Sequence, residues 1–158
     1  MHAQHRFSIR LGLLLSTLVF VWPAGAADGN FPPVSECPQP RFTMKAPADI
    51  YGLSNPVKIS TETLAAGESL YRGKTGSTSC TSCHGEKGDG KGKLASQFNP
   101  PPRNFACAQT VSGIADGQLF WIIRNGSPGS GMPPARALGK FTDEDIWHLV
   151  AYIRQFAR

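Results

Sequence analysis

Cys80-Thr81-Ser82-Cys83-His84 is the stretch that decides how this chain is read. A C-x-x-C-H sequence reads as a c-type haem attachment site, and each residue has a chemical reason. Two cysteines three positions apart stand on one side of a helical turn. Both sulfurs then reach the two vinyl groups of one haem and form thioethers, while the adjacent His84 presents its imidazole to the iron. Two other readings use the same residues. A thioredoxin-like CxxC needs a surrounding βαβ pattern, which is absent. A zinc site needs further ligands, and there is no second CxxC.

Six-coordinate haem iron takes a second axial ligand. Outside the first 26 residues the methionines are Met44 and Met132 and the histidines are His84 and His148. His148 follows the pattern of a surface side chain on the last helix. Met132 sits in Ser130-Gly131-Met132-Pro133-Pro134, a stiff loop that can hold a thioether at the iron. A methionine also fills irregular core gaps. The ligand reading is preferred, and Met44 is set aside because it precedes the motif in a proline-rich stretch. His/Met ligation raises the reduction potential and closes both faces of the iron, which suits electron transfer.

The N-terminus carries Arg6 and Arg10, then an apolar run from Leu11 to Trp22, then Ala24-Gly25-Ala26. This is the order of a secretory signal peptide, with cleavage expected near Ala26. The apolar run falls short of the roughly 20 residues that span a bilayer. Export, expected to be to the periplasm, places the protein where disulfides persist. The whole chain has 158 residues and a formal charge of +5. Losing residues 1–26 removes two arginines and no acid. The mild excess that remains lacks the clustered arginines and interleaved aromatics of a nucleic-acid binder, and no later segment is long enough for stable membrane insertion.

Residues 27–59 are punctuated by Pro32, Pro33, Pro38, Pro40, Pro47 and Pro56, and read as an irregular, mostly non-helical extension. The domain is expected to run over 60–158. A helix is predicted over Thr61–Tyr71, capped by Ser60 or Thr61, with Gly67 marking a close helix contact. A second is predicted over Asp116–Asn125, stopped by Gly126. The third starts at Thr142 with Asp145 completing a capping box, and buries Ile146, Leu149, Val150 and Ile153 at i, i+3, i+4 and i+7. Three helices without alternating strands indicate an all-α domain. Its loops, rich in 17 glycines and 13 prolines over the chain, call for a staple or a cofactor.

The ordered set of Gly67 and Tyr71, the CxxCH motif with Gly85, Gly131-Met132-Pro133, and a final helix with Leu149 and Tyr152 resembles class I monohaem c-type cytochromes. The resemblance implies an all-α, cytochrome c-like helical domain wrapped around one haem c bonded through Cys80 and Cys83. His84 and Met132 would be the iron ligands. It further implies that the first and last helices cross closely at Gly67, with Tyr71 near Leu149 and Tyr152. In such proteins a carbonyl of a Pro-rich loop accepts the other N–H of the axial imidazole. Here that points to Pro100 or Pro101 in Asn99-Pro100-Pro101-Pro102-Arg103. Arg103, Asn104 or Trp121 are candidates to hold a haem propionate.

Cys37 and Cys107 stand outside CxxCH. In an oxidising compartment their simplest state is a disulfide, with free thiols or an intermolecular link as alternatives. Arg72, Lys74, Lys87, Lys91 and Lys93 surround the motif, opposed by Glu86 and Asp89; they form either a basic rim that steers an acidic redox partner or a solvated loop. The expected function is one-electron transfer by a periplasmic carrier between a redox protein donor, such as a dehydrogenase, and an acceptor, as a monomer. The alternative is a cytochrome subunit bound in a larger oxidoreductase complex. A peroxidase-like enzyme and a gas sensor are further alternatives, both requiring an open iron position; no catalytic residue is expected.

Overall fold

The computed structural model describes residues 36–40, 43–73 and 79–157. The expected signal peptide at 1–26, the first part of the extension and Lys74 lie outside the described residues. Among the described residues there are seven helices: α1 Ala48–Tyr51, α2 Thr61–Arg72, α3 Thr81–His84, α4 Ala108–Ser112, α5 Asp116–Asn125, α6 Ala135–Leu138 and α7 Asp143–Ile153. Single 3₁₀ turns lie at Ala95–Gln97 and Arg154–Ala157. The described residues form no strand, only an isolated bridge between Ser127 and Met132. The architecture is the expected all-α, cytochrome c-like one.

Local chemistry accounts for the three main helices. The Thr63 N–H donates to the Ser60 hydroxyl and caps α2. α5 starts after Ala115 and ends at Gly126, as the Asp-Gly and Asn-Gly signals predict. In α7 the Asp145 N–H donates to the Thr142 hydroxyl, and Asp145 accepts in return from the Thr142 N–H, completing the capping box. Ile146, Leu149, Val150 and Ile153 are all buried, as the i, i+3, i+4, i+7 spacing requires.

α2 crosses α7 at Gly67. A Cβ there would stand 2.7 Å from the Tyr152 Cβ and closer still to the His148 carbonyl oxygen, so only glycine lets the two backbones meet. The Tyr71 ring, fully buried, packs at 5.5 Å from Tyr152 and 5.2 Å from Phe156. Phe120 stacks on Trp147 at 4.2 Å and joins α5 to α7. Arg154, just beyond α7, donates to the carbonyls of Val111 and Ile114 and pairs with Asp116 at 2.6 Å, tying the end of α7 to α4 and α5.

The described part of the N-terminal extension is fastened to this helical body rather than hanging from it. Gln118, 2% exposed, accepts from the Ala46 N–H at 2.8 Å and donates to the Met44 carbonyl at 3.0 Å. Asn55 donates to the Trp147 carbonyl, and the Gly117 N–H donates to that of Leu53. Gly117 is a second obligatory close approach: a Cβ there would run into the Ile50 carbonyl of α1. Cys37 and Cys107 are joined by a disulfide, with Cα atoms 5.7 Å apart.

Candidate functional site

The CxxCH segment is held at both ends by backbone bonds. The Cys80 N–H donates to the Tyr71 carbonyl at 3.0 Å, which hangs α3 from the end of α2. The carbonyls of Ser82, Cys83 and His84, left unpaired by so short a helix, accept from the N–H groups of Leu94, Gly92 and Gly90. The Tyr71 hydroxyl donates to the Gly85 carbonyl at 2.8 Å. The Phe105 N–H donates to Gly88, bringing the 100–105 segment beside the motif.

His84 is 8% exposed and its ring stacks on Phe105 at 4.5 Å. Its Nδ1 lies 3.0 Å from the Arg103 carbonyl oxygen. Burial pushes the imidazole pKa down to about 4 against a smaller raising effect of that hydrogen bond. The ring is therefore neutral near pH 7, Nδ1 carries the proton it donates to Arg103, and Nε2 keeps its lone pair. The acceptor is the carbonyl of Arg103, not that of Pro100 or Pro101. The Pro-rich loop does supply it, but three prolines in succession carry the chain past His84, and the bond is made at the loop's last residue.

Burial pushes the Cys80 thiol up to about 11 and raises that of Cys83 as well. Both are protonated thiols rather than the low-pKa thiolates of a redox-active or metal-ready CxxC. No cluster of three or more His, Cys, Asp or Glu side chains suited to a metal ion occurs among the described residues.

Two adjoining cavities lie beside the motif. The larger, about 290 Å³, is lined by Cys83, Phe98, the 100–103 loop, Leu119 and Ser127. The smaller is lined by Cys80, Tyr71, Pro133, Phe141 and Leu149. His84, Phe105, Ile123, Met132 and Ile153 border both. Thus one cysteine lines each cavity, and the histidine and the methionine are shared between them. Met132 is half-buried; its carbonyl accepts from the Ser127 N–H at 2.9 Å, and its N–H faces the Ser130 hydroxyl at 3.5 Å.

These residues fit a haem. The walls are mainly apolar, a cysteine lines each cavity, and a neutral imidazole and a thioether are available as ligands. The Ser127 hydroxyl is buried without a hydrogen-bond partner on a wall of the larger cavity, as a group awaiting a polar ligand atom would be. Of the three residues suggested for a propionate, Arg103 lines the larger cavity. Its guanidinium, however, donates to the carbonyls of Gln39 and Pro40. Asn104 and Trp121 line neither cavity. Ser127 escaped sequence reasoning because one serine in a Gly/Ser loop carries no signal. Phe105, Gln39 and the Arg103 carbonyl escaped it because their roles depend on how the loop folds back.

The suggested basic rim is weaker than its sequence implies. Arg72 is paired with Glu68 at 2.8 Å and with Glu86, so its charge is compensated locally. Lys87, Lys91 and Lys93 are exposed. No helix among the described residues is long and apolar enough to cross a membrane.

Residues 62–153 match the family model described as cytochrome c oxidase, cbb3-type, subunit III. Among solved structures, a chain of the reducing HAO-like protein complex of Kuenenia stuttgartiensis is similar over 68% of this chain. It shows 24% identity and a TM-score of 0.56. Cytochrome cL from the marine methylotrophic bacterium Methylophaga aminisulfidivorans is similar over 64% of this chain, with 26% identity and a TM-score of 0.42. The matches span 49% and 57% of those two chains. A comparison with curated proteins found no match.

Proposed function

Because the chain belongs to the cytochrome c oxidase, cbb3-type, subunit III family of c-type cytochrome domains, we propose that it is a one-electron carrier holding a single haem c. Cys80 and Cys83 would bond the haem, and His84 and Met132 would hold its iron. The observation that carries this reading is the pair of adjoining cavities bordered by His84 and Met132, with one cysteine lining each. The haem, when bound, supplies a reversible Fe(II)/Fe(III) couple.

The chain's own residues bind and orient. Thioether bonds at Cys80 and Cys83 keep the group attached after export. The Arg103 carbonyl fixes the tautomer of His84 and leaves Nε2 as the ligating atom. The Ser127–Met132 bridge holds the methionine loop. Phe98, Phe105, Ile123 and Ile153 exclude water, which keeps the environment similar in both redox states. His84 and Met132 would together hold the iron, an arrangement suited to carrying electrons rather than to binding a substrate.

The leader at 1–26 directs the protein to the periplasm, followed by an extension at 27–59 and the haem domain at 60–158. The test is the optical spectrum. The ferric protein is expected to show the weak sulfur-to-iron band towards the red, and Met132→Ala to lose it. A band that survives in Met132→Ala would overturn the ligand assignment.

A second reading, a cytochrome subunit held within an oxidoreductase complex, is favoured by the family description itself. Gel filtration of the native extract separates the two: a carrier elutes at its monomer size, a subunit in a larger assembly.

A further inference from the structure

We propose that Gln39 is a positioning residue for the axial histidine, acting through the Arg103 carbonyl. The inference rests on the assignment of His84 as a haem ligand.

Gln39 is 6% exposed, unusual for a glutamine in an extension outside the helical body. All four of its polar groups are paired, three with residues 102–104 and one with Thr110 of α4. Its backbone N–H donates to the Thr110 hydroxyl at 2.7 Å, and its backbone carbonyl accepts from the Arg103 guanidinium at 3.2 Å. Its side-chain Oε1 accepts from the Asn104 N–H at 2.8 Å, and its Nε2 donates to the Pro102 carbonyl at 3.4 Å. The carboxamide therefore grips the backbone on both sides of residue 103. Between those two grips lies the carbonyl that meets His84 Nδ1 at 3.0 Å.

The loop needs such an external grip. Pro100, Pro101 and Pro102 have no N–H, so this stretch cannot pin itself by donating to its surroundings. Hydrogen bonds weaken steeply when the angle at the donor falls, so a loop free to shift would not keep the bond to Nδ1. Gln39 is itself anchored two residues away, by the Cys37–Cys107 disulfide. Arg103 adds a second tie by donating to the Pro40 carbonyl at 2.9 Å. The imidazole's hydrogen bond sets its orientation and its basicity as a ligand. The disulfide, the Gln39 carboxamide, the Arg103 carbonyl and His84 thus form one mechanical series.

The test compares haem-loaded wild type with Gln39→Leu, which keeps the side chain's bulk and removes both grips. Gln118→Leu is the control: like Gln39 it lines the larger cavity, and it loosens the same extension at Met44 and Ala46. Two quantities are read in each. They are the exchange rate of the His84 Nδ1 proton by nitrogen-15 NMR of the ferrous protein, and the midpoint potential. Gln39→Leu is expected to exchange that proton roughly tenfold faster or more, the effect of about one net hydrogen bond. Its potential is expected to rise, because an imidazole with a weaker Nδ1–H bond donates less to the iron. Both changes must exceed those in Gln118→Leu; any other pattern overturns the proposal. Should Gln39→Leu fail to fold, Gln39→Glu keeps an acceptor for the Asn104 N–H and removes the donor to the Pro102 carbonyl, and the same criteria apply. A wild-type chain lacking haem on Cys80 and Cys83 would overturn the electron-carrier reading along with this one. A haem-loaded variant with wild-type values overturns this inference alone.

Discussion

Gly67 of α2 lies directly against the backbone carbonyl of His148 on α7, with the Tyr152 Cβ beside that carbonyl. Everything that brackets the CxxCH segment from above depends on this crossing, because α2 delivers both Tyr71 and the carbonyl that receives the Cys80 N–H. Gly67→Ala inserts a methyl group where backbone stands, and backbone cannot move aside as a side-chain tip can. The expected cost is about 1–3 kcal/mol, despite alanine's better helix propensity. Denaturant unfolding would read it as a lowered midpoint at unchanged slope. A variant as stable as wild type would mean that the helices do not meet at this distance.

Tyr71 gives an alkaline limb to the stability. A tyrosine in an unfolded chain ionises near pH ~10. Burial, with smaller contributions from Cys80, Tyr152 and nearby carboxylates, pushes the folded Tyr71 well above that range. Its contribution is complete below about pH 10. Above that the unfolded chain releases a proton that the folded chain keeps, so stability falls as pH rises, by up to about 1.4 kcal/mol per unit. Tyr71→Phe removes this part of the slope and also the bond to Gly85, costing about 1 kcal/mol at neutral pH. Unfolding at a series of alkaline pH values would show the shallower limb; superimposable limbs would rule Tyr71 out as its source.

The disulfide closes a sequence separation of 70 residues. By the loop-entropy relation this contributes about 4 kcal/mol through the unfolded state. Cys37→Ser with Cys107→Ser is expected to lower stability by about 2–4 kcal/mol while leaving haem attachment intact, since neither cysteine belongs to the motif. The comparison is made by thermal unfolding of the two haem-loaded proteins. Equal midpoints would show that the bridge does not form in the purified protein.

How far the sequence discloses this architecture depends on the range over which each signal acts. Caps, breakers and periodicity are local. They place α5 at its observed bounds, α2 to within one residue at its end, and α7 with its capping box. The same signals miss α1, α4 and α6, which are four or five residues long and exist because tertiary contacts hold them. Among the candidate ligands, Cys80, Cys83 and His84 are legible as one motif, and Met132 as the methionine of a stiff loop. The residues around them are not. Position 103 rather than 100 or 101 supplies the carbonyl because of the path the loop takes after Pro102. Gln39 reaches it from more than sixty positions away. No local pattern encodes either fact.

Arg154 is another such long-range residue. It bonds the carbonyls of Val111 and Ile114 and the carboxylate of Asp116, partly shielded from solvent. Arg154→Ala is expected to cost roughly 2–3 kcal/mol, because two carbonyls and a carboxylate lose a charged donor at once. Arg154→Lys is expected to recover only part, since an ammonium cannot reproduce the planar fork. A full recovery by lysine would reduce the interaction to one of charge alone.

The central claim is that this chain bonds one haem through Cys80 and Cys83. The most direct measurement is the intact mass of the denatured, exported protein, with Cys80→Ala plus Cys83→Ala made alongside. The account predicts the mass of the chain from Ala27 onwards plus one haem, with the haem absent from the double variant. A wild-type mass with no haem, or a haem retained when both cysteines are replaced, would contradict it.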